Sequence, residues 1–240
     1  MSFPVAVLAG GLATRLRPLT ESVPKALLEV AGEPFIAHQL RLFKRNGIDR
    51  AVLCLGHLGD RVRDFVKDGA AFGVRVEHSF DGPTLLGTGG ALKKAAPLLG
   101  DVFWVVYGDS YLDTEYDPIR RSFLSQGRLA LMTVCRNEGR WDRSNVLFEG
   151  GRIRVYDKNS RDPALKHIDY GLLLFRREVL DLIPAGEKTD LTDILVRLIE
   201  RDALAGHEVA DRFYEIGSRD GIQETADYIR SQKSAPKGKP

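Results

Sequence analysis

The segment Leu8-Ala9-Gly10-Gly11-Leu12-Ala13-Thr14-Arg15-Leu16-Arg17-Pro18-Leu19-Thr20, followed by Val23-Pro24-Lys25, collects groups that receive an anion. The apolar run Val5-Ala6-Val7-Leu8 leads into two glycines, which let backbone come close to a ligand and turn N–H groups toward it. Arg15 and Lys25 add fixed positive charge, and the set suits a triphosphate. Arg17, taken alone, reads equally well as a solvated side chain. The spacing is neither GxxxxGK[ST] nor GxGxxG, so it indicates neither a P-loop nor a dinucleotide site. A second candidate, Gly108-Asp109-Ser110, follows the apolar run 102–107. The five histidines are scattered without HxH or HExxH spacing, so no zinc site is expected.

These residues can act together only if the fold brings them to one place. Strands are expected over 5–8, 50–55, 74–79, 102–107 and 129–135, alternating with helices over 34–46, 60–67, 90–98 and 117–126. Pro34 stands at a first helical position and Gly47 just past a helix end. This rhythm implies an α/β fold: a Rossmann-like, mainly parallel mixed sheet with helices on both faces, in a single domain. Ligands of such sheets sit outside the carboxyl ends of the strands, where Gly10 and Asp109 both fall. The second half is less regular. Strands over 145–148 and 152–156 flank Glu149-Gly150-Gly151, a hairpin signal. A strand over 167–175, a helix over 191–201, a short strand over 213–216 and a closing helix over 219–230 follow. With no linker and no repeat, residues 1–232 form one domain. Residues 1 to about 135 carry the anion-receiving segments, about 136–232 make the far wall of the cleft, and 233–240 form a disordered tail.

Composition agrees with a soluble globular chain. Of 240 residues, 43% are hydrophobic and 28% charged. The net charge of +2 argues against general nucleic-acid binding, so any polyanion site must be local. Cys54 and Cys135 lie in apolar runs and read as buried free thiols. No run approaches the ~18 apolar residues of a membrane span, and the first residues lack a signal-peptide pattern, so a cytoplasmic location is expected. No membrane or nucleic-acid partner is expected, and a homodimer is left open.

Gly10-Gly11-Leu12-Ala13-Thr14-Arg15-Leu16-Arg17-Pro18-Leu19-Thr20 with Val23-Pro24-Lys25-Ala26-Leu27-Leu28 resembles the opening motif of the sugar-1-phosphate nucleotidylyltransferases. Three further segments match in order: Leu86-Gly87-Thr88-Gly89-Gly90-Ala91, Tyr107-Gly108-Asp109-Ser110 and Tyr156-Asp157-Lys158. The resemblance runs from about Val5 to about Tyr228. It implies that an NTP and a sugar 1-phosphate are joined to give an NDP-sugar and pyrophosphate, with Mg²⁺ as cofactor. Leu8, Ala9, Gly10, Gly11, Thr14, Gly87 and Thr88 would hold the nucleotide. Arg15 would stabilise the departing pyrophosphate, Lys25 would bridge to the α-phosphate and the incoming sugar phosphate, Asp109 would bind Mg²⁺, and Lys158 would anchor the sugar phosphate. Asp109 also reads as a turn aspartate and Lys158 as a solvated lysine. Chain length and the stretch Leu85 to Ala95 are similar to the short heptose 1-phosphate guanylyltransferases. The N-acetylmuramate 1-phosphate uridylyltransferases and a non-catalytic nucleotide-sugar-binding homologue are the alternatives. A glycosyltransferase would leave Gly10 to Lys25 unexplained.

Departures from the family pattern mark the remaining candidates. Glu215 stands where relatives carry a metal-binding aspartate, and glutamate is also a hard oxygen ligand. It reads alternatively as a carboxylate hydrogen-bonded to the neighbouring glycine loop. On the sugar side, Asp169 would accept from hydroxyls, Tyr170 would pack on the ring, and Gly171 lies on the same strand. An edge-strand aspartate and a core tyrosine are the structural alternatives. Asn145 stands where relatives often have glycine. No glutamine occurs between Gln39 and Gln126 to read a pyrimidine, and Asp81 is the acceptor available. A carboxylate accepts from both donors on the guanine edge, which favours GTP; equally, Asp81 opens a turn with Gly82 and Pro83.

Overall fold

Val5–Leu8 (β1) is buried along its whole length because it has neighbours on both sides and helices above and below. It pairs in parallel with Arg50–Leu55 (β2) and Val102–Tyr107 (β4), and β2 pairs in parallel with Arg75–Phe80 (β3). Leu8 lies opposite both Cys54 and Tyr107, so these strands end level and release their following loops along one edge. The computed structural model describes residues 2–234.

The sheet continues with Ala130–Arg136 (β5), Val146–Glu149 (β6), Arg152–Tyr156 (β7), His167–Arg176 (β8) and Leu204–Val209 (β9). The nine strands run in the order β3-β2-β1-β4-β8-β5-β9-β7-β6. The pairings make β7 and β8 run against the other strands of this sheet. Helices Phe35–Arg45 (α1), Gly59–Val66 (α2) and Tyr116–Gln126 (α4) bury apolar residues against one face. Gly87–Lys94 (α3) and Leu191–Glu200 (α5) cover the other. Arg219–Ser234 (α6) packs Ala226 and Ile229 against Ile216, Tyr111 and Phe35.

Several boundaries differ from the sequence expectation for local reasons. α3 begins at Gly87, three residues early, through a glycine run that reads as loop. Pro34 belongs to a small ribbon, Glu29–Val30 with Glu33–Pro34, and precedes α1 instead of opening it. A second ribbon pairs Ser110–Tyr111 with Tyr214–Glu215. β9 had no expected counterpart. α6 runs to Ser234, inside the stretch expected as tail; residues 235–240 lie outside the described residues. Cys54 and Cys135 are buried free thiols.

Candidate active site

A cleft of about 560 Å³ opens at the carboxyl ends of β1, β2 and β4. Residues 8–16 line one side of it, which brings Leu8, Ala9, Gly10, Gly11, Thr14 and Arg15 to the same space. The two glycines have different jobs. A Cβ on Gly10 would stand 3.0 Å from Gly56 N, and one on Gly56 would stand 2.6 Å from Gly10 O, so the β1 and β2 loops meet backbone to backbone. A Cβ on Gly11 would meet nothing within 4 Å, so this position faces open space. Ala13, at φ 47°, turns the chain into the single 3-10 turn Thr14–Leu16, and Thr20 Oγ1 donates to Ala13 O at 2.9 Å to hold it. Arg17 is exposed and lies off the cleft.

Lys25 starts the turn Lys25–Leu27 and donates from Nζ to Asp109 Oδ2 at 2.5 Å. Asp109 stands in a tight turn after β4. Gly108 N donates to Leu8 O at 2.9 Å, Ile216 N donates to Asp109 O at 3.0 Å, and a Cβ on Gly108 would stand 2.7 Å from that of Ala9. The ribbon sets Glu215 opposite Ser110, beside this turn. Burial raises the Glu215 carboxyl above its ordinary range, and the neighbouring Asp109 charge raises it further, while Lys25 and Arg15 oppose both. Two carboxylates and two cations therefore share one corner of the cleft. Among the described residues no group of three His, Cys, Asp or Glu side chains gathers for a metal. Two mutually repelling carboxylates fit a hard divalent cation that completes its shell with phosphate and water, as Mg²⁺ does.

At the other end of the cleft Asp81 is 7% exposed and accepts from Leu86 N with Oδ2 at 3.1 Å. Burial raises its carboxyl, against the pull of the Leu86 N–H and of Lys94. Cys54 also lines this end, and burial followed by the Asp81 charge pushes its thiol up to about 12. Gly87 and Thr88 line it from the first turn of α3. That turn is bolted to the far half of the chain. Thr189 O accepts from Gly89 N at 2.9 Å and Gly90 N at 3.3 Å, and Thr88 Oγ1 accepts from Leu191 N at 2.8 Å. A Cβ on Gly87 would stand 2.6 Å from Thr189 O, and one on Gly90 2.5 Å from Glu187 O. The bolt delivers Lys188 to the cleft wall. Lys188 carried no sequence signal, lying in an irregular connection without motif or periodicity.

The five sugar-side candidates lie off the cleft lining. Four of them form a group next to it. Tyr156 Oη donates to Asp169 Oδ2 at 2.9 Å, Gly171 N donates to Asp169 Oδ1 at 2.9 Å, and Asn145 Oδ1 accepts from Asp169 N at 2.9 Å. Lys158 Nζ stands 5.6 Å from the centre of the Tyr107 ring and 5.7 Å from that of Tyr156. Tyr107 lines the cleft and links the two spaces. Burial raises its hydroxyl far above the ordinary value, helped by Asp169, Asp190 and Asp109. Tyr170 departs from expectation. Successive strand residues point to opposite faces, so Tyr170 joins Ile168, Leu172 and Leu174 in the core, 1% exposed, with no ring face open to a sugar. Asp190 was missed. It caps α5 by accepting from Thr192 N at 2.8 Å, which together with Lys158 and Thr88 outweighs burial and lowers its carboxyl.

The family model described as Nucleotidyl transferase matches residues 5–232. The chain belongs to this family, the sugar-1-phosphate nucleotidylyltransferases. It is 40% identical over 216 residues to the N-acetylmuramate alpha-1-phosphate uridylyltransferase of Neisseria meningitidis, covering 88% of this chain and 92% of that one. It is 29% identical to the mannose-1-phosphate guanylyltransferase of Mycobacterium tuberculosis, covering 96% of this chain and 66% of that enzyme. It is also 29% identical to the UTP–glucose-1-phosphate uridylyltransferase of Synechocystis, covering 81% of this chain but only 54% of that protein. Among solved structures, a putative glucose-1-phosphate thymidylyltransferase from Bacillus anthracis superposes with a TM-score of 0.81 at 24% identity, covering 98% of this chain and 97% of that one. The nucleotidyl transferase fold therefore extends through the whole described sheet. Among the described residues no helix is long and apolar enough to cross a membrane.

Proposed function

We propose that this chain joins an NTP to a sugar 1-phosphate, releasing pyrophosphate and an NDP-sugar. The observation that carries the reading is the Lys25–Asp109 contact, set beside Glu215 and Arg15 in one cleft that Gly11 also lines. A phosphate oxygen of the sugar 1-phosphate attacks the α-phosphorus of the NTP. The new P–O bond forms as the bond to the β-phosphate bridging oxygen breaks, and that oxygen leaves with pyrophosphate. The nucleophile is already anionic, so no general base is required. The difficulty is charge, and fixed cations with oriented N–H groups meet it. Lys25 faces the reacting phosphates, and Arg15 faces the leaving group. Asp109 and Glu215 would hold Mg²⁺, which when bound supplies charge neutralisation for the phosphates. Lys158 would anchor the sugar phosphate and Asp169 would accept from sugar hydroxyls, with Asn145 and Gly171 shaping that wall.

For the base we favour GTP, with Asp81 in the cleft lining accepting from the two adjacent guanine donors. Charge-assisted pairing makes this worth ~1–3 kcal/mol over uracil, which turns two carbonyls toward a carboxylate. The 40% identity with a uridylyltransferase of similar length supports UTP as the second reading. The four NTPs, each measured with a panel of sugar 1-phosphates and pyrophosphate as readout, test both. A GTP preference that collapses in Asp81→Asn supports the first. A UTP preference supports the second and leaves Asp81 as the residue that fixes the turn to Leu86. No turnover with any pair would leave a nucleotide-sugar-binding homologue.

A further inference from the structure

Gln39 lies on α1, fully buried and away from the cleft lining. Its Nε2 donates to Tyr107 O at 3.0 Å and to Ser110 O at 2.7 Å. Those carbonyls stand immediately before and after Gly108-Asp109. One side chain from another element thus holds the carbonyls at both ends of the turn that carries Asp109. Both partners are acceptors, so the amide can face them only with its nitrogen. Its Oε1 is consequently buried without a partner. The glutamine thus gives both protons to one turn and leaves its own acceptor unsatisfied. α1 also packs against the turn that carries Lys25, so one helix backs both partners of the Lys25–Asp109 contact.

We propose that Gln39 is a positioning residue for Asp109: by closing both ends of the Gly108-Asp109 turn it sets where the carboxylate stands relative to Lys25 and Glu215. This rests on Asp109 being part of the reaction centre. A loose turn would let Asp109 swing with Lys25 as a simple ion pair, and the corner would lose its grip on a divalent cation. Residues that orient metal-binding side chains typically change metal affinity by about 10- to 100-fold when removed.

The test compares Gln39→Met, of similar length but without donors, with Phe43→Leu, a core change on the same helix away from the turn. Mn²⁺ binding is followed by electron paramagnetic resonance, with and without a non-hydrolysable NTP analogue, beside kcat, the KM for NTP and the melting temperature. Gln39→Met should weaken Mn²⁺ binding and lower kcat by about 10-fold or more, with the KM for NTP changed less than about 3-fold. Phe43→Leu should lower the melting temperature while keeping both. Unchanged Mn²⁺ affinity in folded Gln39→Met, or equal losses in Phe43→Leu, overturns the proposal. If Gln39→Met does not fold, Gln39→Glu decides. Its carboxyl donates to one carbonyl when protonated and repels both when ionised, so kcat should fall with rising pH through an ionisation the wild type lacks. A pH profile superimposing on the wild type overturns the proposal. A wild-type chain that binds Mn²⁺ but turns over no sugar phosphate refutes the catalytic reading, and the Mn²⁺ comparison still judges Gln39.

Discussion

Lys25 holds its ammonium 2.5 Å from Asp109 Oδ2, and removing either group takes away the other's hydrogen-bonded charge partner at the corner where phosphates would meet. Lys25→Ala should lower kcat by about 10²-fold or more, the scale for losing one charge contact made in the transition state. Lys158 stands farther out, over the Tyr107 ring, so Lys158→Ala should raise the KM for sugar 1-phosphate more than the KM for NTP; equal effects on both would refute that division. Asp169 gives a pH signature. Burial outweighs the Gly171 N–H, Lys158 and the Tyr156 hydroxyl and raises its carboxyl. A raised acid lends stability that is full below its unfolded value, about 3.9, and is lost as pH climbs through the folded value. Asp169→Asn should flatten that decline when melting temperature is scanned upward from about pH 4. At this scale the motif-bearing residues were the legible ones: Arg15, Lys25 and Asp109 reach one cleft. Lys188 and Asp190 were not legible, because only tertiary docking brings their segment to α3. Tyr170 read two ways, on the sugar ring or in the core, and takes the second, because the segment named the strand without naming the face.

Among elements, the contact between α3 and the segment before α5 carries the most consequence. Gly90→Ala would drive a methyl group to 2.5 Å from Glu187 O, so strain of ~1–3 kcal/mol is expected, read as a lowered urea midpoint with an unchanged slope. Asp190→Ala removes the α5 cap and should cost ~1 kcal/mol near neutral pH. Because the folded Asp190 carboxyl is lowered, its contribution is present above the ordinary aspartate range and fades as pH falls through the folded value. The two mutants should therefore diverge in acid, Gly90→Ala keeping its deficit and Asp190→Ala losing it. The strands with continuous apolar runs, β1, β2 and β4, were legible to the residue, since burial on both faces demands such runs. β9 was hidden by Gly206, His207 and Glu208. Gly206 is there because Phe148 and Ile153 occupy the space of a side chain, with a Cβ falling 2.5 Å from the Phe148 ring, a reason visible only in the folded sheet. The start of α3 was hidden likewise, its glycines serving Thr189 and Glu187.

For the whole molecule, the nine-stranded sheet runs unbroken from the β3 edge to the β6 edge, so both walls of the cleft share one body. A ligand that binds only the folded state should raise its stability as a unit. With Mg²⁺ and an accepted NTP at about 100 times the dissociation constant, stabilisation of ~2.7 kcal/mol is expected, seen as one transition shifted upward by roughly 5–10 °C. EDTA should cancel both this shift and turnover; full activity in EDTA would remove Asp109 and Glu215 from their assigned roles. The bolt across the cleft also bears on how a bound nucleotide would be oriented. Glycine-rich helix starts commonly receive phosphate on free N–H groups. In α3 the Gly89 and Gly90 N–H groups are already spent on Thr189 O, which caps the positive end of the helix with a carbonyl. With those two N–H groups spent, that end offers less to a triphosphate than Gly11, Arg15 and Lys25 do. On the proposed function, a nucleotide would therefore lie with its phosphates toward the β1 loop and its base toward Asp81.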